Sequence, residues 1–100
     1  MTSQPVSWAN LLKDNVLGLY KDTSAVRDQI LADGALSTKT KTLMMMLCDA
    51  LLGHDGGVTN LSKRAQSLGA SKEEVAETVG VAFLMGGLPG LVTGANAFRH

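Results

Sequence analysis

The chain has 100 residues, nine basic and nine acidic side chains, and a composition that is 45% hydrophobic but only 4% aromatic. This length allows one domain, and the aliphatic, aromatic-poor composition favours helices over a β-sandwich. The formal net charge of zero argues against a nucleic-acid binder, since phosphate contacts need clustered Lys and Arg side chains.

The N-terminal region predicts two helices that follow a loose tail at residues 1–5. The tail has neither the basic nor the apolar segment of a secretory signal peptide. Ser7 is expected to cap a first helix that runs to about Tyr20, because apolar residues recur there at helical spacing. The polar run 21–24 is expected to interrupt that pattern, and a second helix is expected over residues 25–32.

A third helix is predicted from a cap at Ser37 to about Leu52, with Gly53 ending it. Its expected buried stripe comprises Leu43, Met44, Leu47, Cys48, Leu51 and Leu52. Met45, Met46 and Ala50 make the remaining faces apolar as well. A helix that is apolar all round is buried all round, which in a chain of this length predicts a subunit interface in addition to a core.

Residues 54–57 are expected to form a turn or the first turn of a fourth helix, which continues to about Leu68. Ser71 and Glu74 then form the capping box of a fifth helix. Its expected inner face comprises Val75, Val79, Ala82 and Phe83. The uncharged stretch 78–98 is long enough to span a bilayer, but its glycines and Pro89 favour two short buried helices, the second starting at the proline.

Three segments carry a family resemblance: Leu36-Ser-Thr-Lys-Thr-Lys41, Gly69-Ala-Ser-Lys-Glu-Glu74 and Met85-Gly-Gly-Leu-Pro89. Together with the apolar helix between the first two, they resemble the carboxymuconolactone decarboxylase family, and within it the alkylhydroperoxidase D-like branch. The resemblance covers residues 33–98. It implies an all-α fold, the alkylhydroperoxidase D-like orthogonal helical bundle of five to six helices, and a homo-oligomer, often a trimer or a hexamer.

In its redox branch the resemblance also implies a thiol centre, and this chain departs from it at every functional position. The family's glutamate falls on Thr42, its two cysteines on His54 and Gly57, the histidine between them on Gly56, and the last histidine on Leu61. A thiolate centre needs a second thiol to resolve the oxidised first one. The resemblance therefore implies the fold without the thiol peroxidase activity.

The remaining polar candidates stand near this junction. His54 and Asp55 are the candidate catalytic residues, with His54 as a general base; the alternative makes Asp55 an N-cap and His54 a surface turn residue. Cys48, the single cysteine, is expected to pack in the core, the alternative being a reactive or ligand-binding thiol. Asp49 is expected to pair with a Lys or Arg or to line the cleft. Candidate ligand-binding residues are Thr42, Cys48 and Asn60.

These residues leave three functions open. The first is an oligomeric protein that binds a small ligand in a pocket beside His54, without the redox centre. The second is a cofactor-independent decarboxylase or lactone-handling enzyme in which His54 transfers protons. The third is a purely structural assembly unit. The sequence predicts no cofactor, no metal, no membrane and no nucleic-acid partner, and the lone cysteine fits a reducing, cytoplasmic compartment.

Overall fold

The computed structural model describes residues 7–100, so the tail expected at residues 1–5 lies outside the described part of the chain. Over residues 7–100 the chain contains helices and no strand, which confirms the all-α prediction. The helices are α1 (Trp8–Asn15), α2 (Leu17–Leu31), α3 (Thr38–Leu52), α4 (Asp55–Ser67) and α5 (Lys72–Gly94), followed by a short 3-10 helix (Ala95–Phe98).

The chain divides into two compact units, one that contains α1 and α2 and ends at Ala32, and one that spans Asp33–His100. In the first unit the rings of Trp8 and Tyr20 lie 6.4 Å apart between centroids, and the Lys13 ammonium lies 5.3 Å from the centre of the Tyr20 ring. These contacts tie α1 to α2.

The predicted Ser7 cap of α1 is confirmed, since the Ser7 hydroxyl accepts a hydrogen bond from the Asn10 amide at 3.2 Å. The predicted break at residues 21–24 is wrong. The helix continues there because the Thr23 hydroxyl donates to the Leu19 carbonyl at 2.9 Å and so needs no partner outside the helix. The chain bends instead at Val16, whose φ of −143° and ψ of 57° are not helical.

In the second unit, α3 packs against both α4 and α5, and the 3-10 helix packs on α4 and α5. Small and aliphatic side chains fill the core between these elements. The core comprises Met46, Ala50, Val58, Ala65, Ala70, Val75, Val79, Ala82 and Ala97. Because so many of these side chains are alanine or valine, the helices approach one another closely and position the residues at the α3–α4 junction.

Helix α3 has the predicted bounds but buries a different face. Its buried residues are Thr42, Met46 and Ala50, spaced one helical turn apart, with Leu43 and Leu47 partly buried beside them. Met44, Cys48, Leu51 and Leu52 are exposed in the single chain. The expected stripe is therefore right only for Leu43 and Leu47, and the expectation that Cys48 packs in the core is wrong for the single chain. The cause is that an all-apolar helix carries no polar face to orient it.

Two side chains cap the start of α3. The Ser37 hydroxyl accepts from the Thr40 amide at 3.0 Å, as predicted. The Asp33 carboxylate accepts from the amide of Thr38 at 2.7 Å and from its hydroxyl at 3.0 Å. These hydrogen bonds lower the pKa of Asp33, the amide bond most strongly, because they favour the ionised form.

Helix α5 begins and bends where the sequence predicts. The amide of Ser71 donates to the Glu74 carboxylate at 3.0 Å and the amide of Glu74 donates to the Ser71 hydroxyl at 3.0 Å, which confirms the capping box. The Ser71 amide and then Lys39 lower the pKa of Glu74. Gly87, with φ 65° and ψ −158°, kinks the helix, in line with the break predicted before Pro89. Phe83 is exposed, so its predicted place in the core is wrong.

Candidate functional site

The junction between α3 and α4 folds back on itself. Gly53 ends α3 in the left-handed conformation at φ 79°, and the amide of His54 donates to the carbonyl of Asp49 at 2.9 Å. This six-residue closure is the Schellman arrangement, in which the second residue after the helix returns over its last turn. The backbone therefore carries the His54 side chain to Asp49, although the two residues are five positions apart.

The His54 Nδ1 lies 2.9 Å from the Asp49 Oδ1. An ionised carboxylate only accepts hydrogen bonds, so this contact favours a proton on Nδ1; in the neutral imidazole that tautomer leaves the lone pair on Nε2. The His54 side chain is 59% exposed and that of Asp49 is 24% exposed. A pair this open to water contributes at most about 1 kcal/mol to folding. Its main consequence is to set the orientation and tautomer of the imidazole.

Gly57 makes room for this carboxylate. A Cβ built on Gly57 would overlap the Asp49 Oδ2 and lie 2.9 Å from its Cγ. The Asp49 carboxylate thus lies against the first turn of α4, where the helix dipole favours a negative charge. The missing side chain at position 57 is a requirement of the His54–Asp49 pair.

The predicted catalytic partner of His54 does not pair with it. Asp55 is the first residue of α4 rather than its N-cap; His54 occupies the cap position without a side-chain capping bond. Asp55 instead places an exposed carboxylate in the first turn of α4. The structure therefore brings Asp49, and not Asp55, to the imidazole.

The candidate ligand-binding residues are spread over different environments. Thr42 is 1% exposed, and its hydroxyl donates to the Thr38 carbonyl of its own helix at 2.8 Å. Asn60 is exposed on α4 and Cys48 is exposed on α3. Leu61, at the last histidine position of the redox branch, packs partly buried against the core. Their assignment as ligand-binding residues stays a prediction.

Asp49 is the functional residue whose partner differs from the sequence prediction. It was expected to pair with a cation from elsewhere or to line a cleft, whereas its partner is His54. The available signal was the glycine that ends α3, because a Schellman closure at Gly53 brings the residue that follows it over the residue four positions before it. For metals, residues 7–100 contain no group of three His, Cys, Asp or Glu side chains that could hold an ion.

Comparisons with known proteins agree with this fold. An uncharacterised protein of Methanocaldococcus jannaschii, MJ1511, is 22% identical over 93 residues, which are 93% of this chain and 87% of that protein. The crystal structure of apo-lpg0406, a carboxymuconolactone decarboxylase family protein from Legionella pneumophila, superposes with a TM-score of 0.82 at 32% identity. That match covers 88% of this chain and 79% of the Legionella chain.

The sequence profile of the carboxymuconolactone decarboxylase family matches residues 18–100, from the second residue of α2 to residue 100. The match includes all of α3, α4 and α5 and therefore the His54–Asp49 pair. By this match, and by the structural likeness to a member of the same family, the chain belongs to the carboxymuconolactone decarboxylase family.

Proposed function

We propose that this chain is an oligomeric family member that works without a thiol centre and uses His54 to transfer protons on a small organic substrate, as a cofactor-independent decarboxylase or lactone-handling enzyme. The observation that carries the proposal is the 2.9 Å contact between His54 Nδ1 and Asp49 Oδ1. A base oriented by a carboxylate is the arrangement that acid–base enzymes use for an imidazole.

The proposed reactions each need a single proton transfer, which takes place at Nε2 of His54. When a carboxylate leaves as CO2 from a carbon conjugated with a carbonyl, the electron pair stays on the substrate. A protonated Nε2 of His54 then delivers the proton that completes the product. In the opposite state the neutral Nε2 takes a proton from a substrate carbon or from a water that opens a lactone. Asp49 stabilises the imidazolium and keeps Nε2 turned away from it.

The absence of a thiol centre follows from the same residues. Cys48 is the only cysteine in the chain, and a peroxidase cycle of the dithiol type needs a second sulfur. At position 57, where the redox branch carries a cysteine, the Asp49 carboxylate takes the space that a side chain would need. We therefore expect thiol-dependent peroxide turnover to be undetectable, and unchanged by Cys48→Ser.

The test compares two carboxylates beside the same histidine, with carboxymuconolactone as the probe and released CO2 as the readout. We expect His54→Gln to lower turnover by about 10²–10⁴-fold, the usual contribution of general acid–base catalysis. Asp49→Asn should lower turnover by at least about tenfold and change its pH profile, because it alters the tautomer of His54. Asp55→Asn should retain turnover within about twofold.

Equal losses in Asp49→Asn and Asp55→Asn would contradict the role of the His54–Asp49 pair. Binding of the lactone without CO2 release or ring opening would instead favour a ligand-binding protein. Circular dichroism shows whether each variant is folded, and turnover is compared only between folded variants.

The proposed oligomer is supported by the apolar surface of α5. Leu84 is 79% exposed and Met85 is 74% exposed in the single chain. Other exposed apolar side chains of the same helix are Val81, Phe83, Leu88, Leu91 and Val92. Water-soluble monomers rarely expose such a continuous apolar surface, so we propose that a second copy covers it. Exposed Leu51 and Leu52 on α3 add to the surface available for burial.

A bilayer is the competing environment for this surface. The segment Lys72–Phe98 is long and apolar enough to cross a membrane, and only 22% of its most apolar window is buried within the single chain. Against a spanning helix, Gly87 leaves the helical conformation and divides the segment into two pieces, each shorter than a bilayer-spanning helix needs to be. Val75, Val79 and Ala82 also pack in the core of the second unit. We therefore propose a water-soluble, cytoplasmic oligomer.

Two substitutions on opposite flanks of α5 test the oligomer. We expect the wild-type protein to be soluble without detergent and to sediment as a trimer or a multiple of it. Met85→Glu should dissociate it, because burying an unpaired charge in an interface is costly. Ala76→Glu, on an exposed position of the opposite flank, should leave the mass unchanged. A monomeric wild type at micromolar concentration, or one that is extracted only by detergent, would overturn the proposal.

A further inference from the structure

A cavity of about 440 Å³ lies away from the α3–α4 junction, between α4, the start of α5 and the last residues of the chain. We call it the Arg99 cavity. Its lining residues are Lys63, Gln66, Lys72, Val75, Ala97, Phe98, Arg99 and His100. Its volume falls within the range of small-molecule sites, about 300–1,000 Å³.

The side-chain charge of the lining is positive only. Lys63, Lys72 and Arg99 contribute positive side chains, and none of the lining residues carries a carboxylate side chain. In the part of the chain that the structure describes, these three side chains make no ion pair with an Asp or Glu. Like charges on one cavity repel one another, and a bound anion relieves that repulsion.

A hydrogen bond to Asn96 holds the Arg99 guanidinium in place. Its Nε donates to the Asn96 Oδ1 at 2.6 Å. Asn96 is only 9% exposed, and the Nδ2 of its side chain donates to the Thr93 carbonyl at 2.9 Å. The Thr59 hydroxyl, on α4, donates to the main-chain carbonyl of Asn96 at 3.0 Å. With Nε engaged, the two terminal nitrogens of Arg99 remain as a fork, the geometry that pairs with a carboxylate.

The remaining lining residues that the argument uses are apolar or neutral. Val75 and Ala97 belong to the buried core, and Phe98 adds an aromatic ring. Gln66 is fixed through its Nε2, which donates to the Ser62 hydroxyl at 3.1 Å, and Ser62 donates in turn to the Ala97 carbonyl. A ligand that matches this lining has one anionic end and one apolar body.

We propose that the Arg99 cavity binds a small organic carboxylate with an apolar ring, its carboxylate on the fork of Arg99 with Lys63 and Lys72 beside it, and its ring against Val75, Ala97 and Phe98. This site is separate from the acid–base function of His54 and does not depend on it. Because the three cations are largely exposed, binding weakens as ionic strength rises.

The test uses benzoate as the probe and benzamide, which has the same ring and no charge, as its neutral counterpart. Titrations of the full chain are followed by nitrogen–proton NMR, including the Arg99 Nε–H resonance. We expect saturable benzoate binding that shifts Arg99 and residues 97–100, and at least tenfold weaker binding of benzamide. Arg99→Gln should weaken benzoate binding about 10- to 100-fold, the usual range for hydrogen bonds to a charged group.

Matched variants separate the contribution of the Arg99 fork to benzoate affinity from the contribution of its charge. Arg99→Lys should give an intermediate affinity, because it keeps the charge and loses the fork. Lys63→Gln should weaken binding a few-fold, and Lys21→Gln, which removes a charge from α2, should leave it unchanged. His54→Gln should also bind benzoate normally, so failure of the acid–base proposal does not affect this test.

Three results would overturn the inference. Equal affinity for benzamide would remove the role of charge. Inorganic phosphate that binds as tightly as benzoate would remove the role of the apolar lining. Unchanged benzoate affinity in a folded Arg99→Gln variant would remove the role of Arg99.

Discussion

Gly90→Ala is expected to lower the free energy of unfolding by about 1–3 kcal/mol, the usual cost of forcing extra volume into a packed interior. A Cβ at Gly90 would lie 2.6 Å from the backbone oxygen of Ala82 and 3.4 Å from its carbonyl carbon. These are main-chain atoms of the same helix, brought together because α5 bends at Gly87. They have no rotamer to change, so the strain is transferred to the packing of α5.

Gly80→Ala is the matched control for this substitution. Gly80 is an exposed residue of α5, and a Cβ there would meet nothing within 4 Å. Alanine in an exposed helix interior is favoured over glycine by up to about 1 kcal/mol, so this variant should gain stability. Chemical denaturation at one fixed protein concentration measures both variants, since association also affects stability. Equal stabilisation by the two substitutions would show that the close approach of Gly90 to Ala82 is not present in solution.

Gly57→Ala is expected to separate the two members of the His54–Asp49 pair and to lower turnover by at least about tenfold, as Asp49→Asn does, if His54 is the proton-transfer group. The new methyl group would occupy the position of the Asp49 Oδ2. Asp49 can rotate away about its side-chain bonds, so the fold should survive. Alanine also offsets part of the strain through its higher helix propensity. The effect should therefore appear in the site and only weakly in stability.

Gly56→Ala adds the same methyl group one residue earlier, where a Cβ meets nothing within 4 Å. We expect this variant to keep wild-type turnover and to be slightly more stable. The ¹⁵N resonances of the His54 ring give a readout that needs no substrate: Gly56→Ala should retain the wild-type tautomer and Gly57→Ala should lose it. If both variants kept the wild-type ring resonances, the carboxylate of Asp49 would not orient the imidazole.

The helix boundaries with strong local signals are set by neighbouring residues, and the sequence predicted them. Ser7, Ser37 and the Ser71–Glu74 box each satisfy amides within three residues, so their geometry needs no tertiary contact. Gly53 and the break before Pro89 follow in the same way from conformations that few residues adopt. The polar run 21–24 predicts a break that is not there, because the Thr23 hydroxyl donates to a carbonyl of its own helix.

What the sequence determined by itself is an all-α chain, its main caps and breaks, its family, and the absence of a second thiol. Tertiary structure decided which face of α3 is buried, since a helix apolar on all sides has no periodicity that selects Thr42, Met46 and Ala50 over Met44 and Cys48. It also decided that His54 pairs with Asp49 rather than Asp55. The reversal at Gly53 is a local feature, but the pairing also depends on the space at Gly57 beside the Asp49 carboxylate, which is a property of how α3 meets α4 in three dimensions.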